Sequence, residues 1–155
     1  YLGFDEITEK TYREWQQHYK VDFDSELEAE HETAMYNNFG SCMITDFPEF
    51  TSPFWNMSRH ADGVHSKKID VILGGMETIG SAERSTDVDQ MRDTFHTITE
   101  GAYSSLLFDL FSKERVEGEL EEFLQHDFFP RVGGGIGMTR MIAALEKLEV
   151  AEKAA

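Results

Sequence analysis

The chain has 155 residues, 40% of them hydrophobic and twelve of them phenylalanine, enough to bury one domain core and too many for a disordered segment. A formal net charge of −16 excludes a general basic surface for nucleic-acid phosphates, although Arg84, Arg131 and Arg140 could still converge on a local positive pocket. The single cysteine, Cys42, excludes an internal disulfide framework and a cysteine zinc site, and no apolar run has the length of a membrane span. With no signal peptide in view, these features point to a reducing, cytoplasmic setting.

The opening YLGFDEITEKTYREW reads as mid-sequence, so the chain is expected to be part of a longer protein or to have lost earlier residues. Repeats, low-complexity tracts and linkers are absent, and residues 1–155 read as one domain. TEKTYREWQQHY (8–19) has helical apolar spacing, with Thr8 as its cap. DSELEAEHETAMYNNFG (24–40) predicts a second helix, started by a Ser25/Glu28 capping box and stopped at Gly40. SCMITDFP (41–48) is short, apolar and ends at a proline, which predicts a buried strand. KKIDVILGG (67–75) predicts another, rich in β-branched residues and closed by two glycines. STDVDQMRDTFHTITEGA (85–102) predicts a helix with Met91, Phe95 and Ile98 on one face and Gly101 as its end. SKERVEGELEEFLQH (112–126) predicts a shorter, acidic helix, and from about Met138 the spacing of Met141, Ile142, Leu145 and Leu148 predicts a last one. Strands and helices mix without a regular βαβ rhythm, which indicates an α+β domain around a mainly antiparallel sheet.

Three features could carry chemistry. In IDVILGGMETIGSAER, Asp70 and Glu77 stand seven residues apart, an odd separation that puts them on opposite faces of a single strand. A turn or bulge at Gly74-Gly75 would bring both to one side, where two carboxylates suit Mg2+ on nucleotide phosphates; otherwise they form a solvated acidic strand edge. Arg84, at the end of the same stretch, either holds a carboxylate through its guanidinium fork or is an ordinary surface arginine. GGGIGMTR (133–140) is either a platform on which a flat ligand lies against bare backbone, with Arg140 as its clamp, or a glycine-rich turn entering the last helix. It lacks the Gly-Lys-Ser/Thr ending of a P-loop and the spacing of a dinucleotide fingerprint. His60, His65 and His96 show no ligand spacing, Trp15 and Trp55 read as core, VEGELEEF as a solvated helix face, and Cys42 as inert.

In order, MITDFPEFTSPFWNM, IDVILGGMETIGSAER and GGGIGMTRMIAAL resemble the second half of the catalytic domain of class II aminoacyl-tRNA synthetases. The likeness runs from roughly Ile7 to Leu148 and is nearest to the aspartyl/asparaginyl subgroup and its related asparagine synthetases; the D-x6-E-x6-R spacing and a third-motif ending carry it. The resemblance implies that Asp70 and Glu77 hold Mg2+ on ATP and that Arg84 grips the side-chain end of an aspartate or asparagine substrate. It further implies that Gly134, Gly135 and Gly137 line the adenosine site, and that Arg140 packs over adenine and reaches the terminal phosphate. An acyl-adenylate and pyrophosphate would result, with ammonia or tRNA as acceptor, in a protein expected to be a homodimer at full length. The family's first two motifs would precede Tyr1, so the chain is expected to hold only the C-terminal half of a catalytic domain. Thr139 stands where the subgroup usually has glutamate; a short hydroxyl there is similar to the stand-alone bacterial asparagine synthetase, which does not use tRNA. Gly80-Ser81 reverses the subgroup's usual order, which unsettles a third magnesium contact.

Overall fold

A computed structural model describes residues 3–4 and 6–154, the side chains of 150–154 excepted; Tyr1, Leu2, Asp5 and Ala155 lie outside it. Among the described residues five strands form one sheet in the order β1-β2-β3-β4-β5: β1 (Thr8–Thr11), β2 (Cys42–Pro48), β3 (His65–Leu73), β4 (Met76–Arg84) and β5 (Arg131–Ile136). β1 pairs parallel with β2 and every other pair is antiparallel, the α+β arrangement expected. Among the described residues six α-helices accompany it: α1 (Tyr12–Tyr19), α2 (Ala29–Phe39), α3 (Val88–Thr97), α4 (Ala102–Phe111), α5 (Lys113–Leu124) and α6 (Met138–Ala154). Among the described residues no helix is long and apolar enough to cross a membrane.

Residues directly opposite in a sheet share a face. Cys42 pairs with Ile72 and Ile44 with Asp70, so these four lie on one face. Its β1–β3 half is covered by α1 and α2, forming a core of Tyr12, Trp15, Met35, Cys42, Ile44, Phe47 and Ile72. Trp15, Met35 and Ile72 are fully buried, each contributing about 1.5–3 kcal/mol, and the Trp15 indole donates to the Met43 carbonyl at 3.1 Å. A second cluster joins Trp55 to Met91, Phe95 and Ile98 after β4 and to Val116, Leu120 and Leu124 of α5.

Several boundaries differ from the sequence reading. Thr8 is a strand residue, and the helix cap is Thr11, whose hydroxyl accepts from the Glu14 amide while the Glu14 carboxylate accepts from the Thr11 amide. The edge pairing with β2 takes the first turn that helical spacing alone would assign to α1. Ser25 does not cap α2. Its carbonyl, with that of Asp22, accepts from the buried Gln16 amide, and the Leu27 N–H is held by the Tyr12 hydroxyl. Tertiary contacts therefore occupy this backbone, and α2 starts after Glu28, whose N–H donates to His31 Nδ1. α3 ends at Thr97, before Gly101, because Thr99 and Glu100 adopt left-handed angles. α4 is an element the sequence reading does not place, although Tyr103, Leu106, Leu107, Leu110 and Phe111 recur at helical spacing; Leu106, Leu110 and Phe111 remain exposed, so this stripe does not mark a buried face. In α6 the buried position is Ala144, while Ile142 is exposed.

Candidate active site

The turn between β3 and β4 is Gly74-Gly75, both at positive φ (61° and 87°), the two-residue hairpin geometry that glycine supplies without strain. Ala144 of α6 packs so closely that a Cβ on Gly74 would stand 3.0 Å from its Cα. The hairpin places Glu77 opposite Ile72, on the face that Ile72 shares with Asp70. The register then shifts: Val71 pairs with Ile79, and Thr78 is the extra residue of a bulge. Asp70 therefore faces Gly80, and the alternation onward carries Ala82 and Arg84 to the same face. Glu77 and Arg84, also an odd seven residues apart, would part company on a regular strand; the bulge reunites them.

Across the next ladder Gly80 faces Gly135, Ala82 faces Gly133 and Arg84 faces Arg131. The carboxylates fill the space that a Gly80 side chain would take: its Cβ would lie 2.8 Å from Glu77 Oε1 and 3.5 Å from Asp70 Oδ1. A Cβ on Gly135 meets nothing within 4 Å, so the sheet beside the carboxylates is an open floor of bare backbone. Gly134 points the other way and is required for strand approach, since its Cβ would stand 2.6 Å from Ser81 Cβ. Ser81, paired with Gly134, is turned from the carboxylates. Gly137 closes the strand, donating to the Thr78 carbonyl at 2.8 Å, and accepts the first helical bond of α6 from Met141.

Asp70 is 6% exposed. Its Oδ2 accepts from Lys68, and its Oδ1 has no partner among the described residues. Burial pushes its carboxyl up to about 6 against the pull of Lys68, with Glu77 and Glu32 adding to the rise. Glu32 of α2 accepts the Glu77 backbone N–H at 2.9 Å, and its own carboxyl is raised, chiefly by burial. Arg140, in the first turn of α6, donates to the Glu77 carbonyl at 2.7 Å and stands 3.8 Å from Glu77 Oε2. Arg84 lies across Gly133, donating to its carbonyl and to Asn56 Oδ1, each at 3.0 Å. Arg84 and Arg131 are neighbours, whereas Arg140 is at the far end of β4, roughly 20 Å away by strand rise.

Asp70, Glu77, Arg84, Gly135, Gly137 and Arg140 are thus on or beside one face of β3, β4 and β5, whereas Gly134 and Ser81 point the other way, Gly134 serving the strand contact. Three further residues emerge only here. Glu32 and Asn56 come from distant segments and carried no local signal; Lys68, two residues from Asp70, shares its face by alternation. The histidines are used elsewhere: His60 contacts Asp46, His65 contacts Asp62 and His96 contacts Glu117. Burial pushes the Cys42 thiol up to about 11, which keeps it unreactive. Among the described residues no three His, Cys, Asp or Glu side chains are grouped to hold a metal. Two carboxylates with one buried, unpartnered oxygen instead fit a cation that takes its remaining ligands from phosphates and water.

The fold recurs in solved synthetases. Asparaginyl-tRNA synthetase from Pyrococcus horikoshii superposes with a TM-score of 0.70 at 17% identity, over 92% of this chain and 33% of that one. The structure of that enzyme complexed with asparaginyl-adenylate matches with the same score and identity, over 92% of this chain and 32% of that one. Aspartyl-tRNA synthetase from Entamoeba histolytica gives 0.66 at 18% identity, over 90% of this chain and 29% of that one. The chain therefore spans about a third of the length of these structures. No curated protein sequence matches it. The model of the family "tRNA synthetases class II (D, K and N)" matches residues 4–154, and the chain belongs to that family.

Proposed function

We propose that the protein is an ATP-dependent ligase that activates aspartate, or asparagine, as an acyl-adenylate, and that its acceptor is ammonia, as in an asparagine synthetase. The observation that supports this most is the order of groups along one sheet face: Arg84, an open glycine floor, the Asp70/Glu77 pair, then Arg140. Such a strip suits an amino acid at one end and a nucleotide at the other. Arg84, held by Asn56 and the Gly133 carbonyl, keeps further N–H donors for the end of the substrate that is not activated: the α-carboxylate when ammonia amidates the side chain, the side-chain group when tRNA is the acceptor. Gly135, with Gly134 and Gly137 shaping the strand around it, lets the adenosine approach the backbone, and Arg140 packs over the adenine and reaches the terminal phosphate. Asp70 and Glu77 would hold Mg2+, which supplies charge neutralisation on the ATP phosphates when bound. A substrate carboxylate oxygen attacks the α-phosphorus, the bond to the bridging oxygen breaks, and pyrophosphate leaves with that bond's electron pair.

The acceptor separates two readings. Thr139, exposed in the first turn of α6 in place of glutamate, and the −16 charge favour ammonia. The structural likeness to tRNA synthetases favours tRNA. The intact protein should exchange pyrophosphate into ATP in an aspartate-dependent manner, and supplying ammonia or tRNA then shows which product forms. Nucleotide binding without exchange would instead identify a non-catalytic, synthetase-like binding protein.

A further inference from the structure

We propose that Lys68 restricts Asp70 to a single ligating oxygen and thereby makes the carboxylate pair selective for a small octahedral cation, Mg2+, over Ca2+. This rests on the reading of Asp70 and Glu77 as metal ligands. The two oxygens of Asp70 have different surroundings. Oδ2 is engaged by Lys68 Nζ at 2.5 Å. Oδ1 has no partner among the described residues and looks over Gly80 toward Glu77 Oε1.

The Lys68 ammonium is in a built position and is not a loose surface charge. It stands 3.8 Å from the centroid of the Phe47 ring, which is itself 5% exposed and packed against Tyr12 at 5.0 Å. On the sheet, Lys68 faces Ala82, which in turn faces Gly133, so small neighbours leave its stem free to run along the face to Asp70. A buried carboxylate and a buried ring therefore hold the ammonium together.

A cation shared by Asp70 and Glu77 meets Oδ1 first. Mg2+ keeps much of its water and takes one or two carboxylates, so it can use Oδ1 and leave the Lys68 contact intact. Ca2+ takes more oxygens and often binds carboxylates through both, which here would require stripping Lys68 from Oδ2 and from Phe47. The ammonium also repels every divalent cation, and that effect is common to both ions; the ratio of the two affinities isolates the selectivity.

The test uses the intact protein and Mn2+ as the probe. Bound Mn2+ is followed by electron paramagnetic resonance and displaced by Mg2+ or Ca2+. In Lys68→Met, Mn2+ itself should bind more tightly, Mg2+ should displace it at nearly the wild-type concentration, and Ca2+ should displace it at a concentration at least fivefold lower. Lys68→Arg, which keeps a charged donor beside Oδ2, should retain the original ratio. A Ca2+/Mg2+ ratio unchanged within twofold in folded Lys68→Met would overturn the role of Lys68 while leaving the metal site standing. Mn2+ binding that is indifferent to Asp70→Asn would overturn the metal reading itself, and the proposal with it.

Discussion

Replacing Asp70 by asparagine should stabilise the protein in the absence of metal and nucleotide. The carboxyl is 6% exposed, one of its oxygens has no partner among the described residues, and burial raises its pKa from 3.8 to about 6 despite Lys68. The folded chain holds this proton more tightly than the unfolded chain does. Charge at Asp70 therefore costs stability above pH 6, and the cost disappears below the unfolded value of 3.8. The difference of about 2 pH units, at about 1.36 kcal/mol each, sets an upper bound of about 3 kcal/mol at neutral pH. The pull of Lys68 is already contained in that value, so we expect Asp70→Asn to gain up to about 3 kcal/mol at pH 8. Urea denaturation across pH 4–8 measures it, and the gain over wild type should fade as pH drops from 6 to 4. A variant that is less stable at pH 8, or a gain independent of pH, would refute the argument. With Mg2+ and ATP present the ranking should reverse, because ligand binding stabilises only the protein that binds it.

Gly135→Val should leave stability within about 0.5 kcal/mol, since its side chain enters open space, yet lower ATP affinity at least tenfold by occupying the floor; equal ATP affinity by calorimetry would remove the platform role. Gly134→Ala, by contrast, drives a methyl against Ser81 and the Gly80 carbonyl and should cost about 1–3 kcal/mol in thermal or urea unfolding. Arg140→Ala should weaken ATP binding at least tenfold, about 1.4 kcal/mol, while unchanged affinity would sink the clamp. Arg84→Ala should damage amino-acid use in pyrophosphate exchange and spare ATP binding; parallel losses of both would contradict its assignment to the amino-acid end.

The sequence by itself determined the elements whose patterns are local. The apolar strand at Cys42–Pro48, the Gly74-Gly75 turn and the stripe Met91, Phe95, Ile98 follow from residue type and spacing, and all three stand in the structure. Boundaries went astray where tertiary contacts claimed the backbone: β1 took Thr8 into the sheet, and Gln16 and Tyr12 took the segment around Ser25. The D-x6-E-x6-R spacing was plain to read, but its meaning was not. Counted along a regular strand, seven is odd and separates each pair. The Gly74-Gly75 turn that reunites the first pair could be read from the sequence as one of two alternatives; the bulge at Thr78 that reunites the second is visible only in the fold, because the parity of a strand is reset wherever the ladder gains a residue. The same pairing decided which glycine is floor and which is contact, while tertiary packing brought Glu32 and Asn56 to the site from segments whose local sequence gives no reason to expect them; Lys68 reaches Asp70 by simple strand alternation.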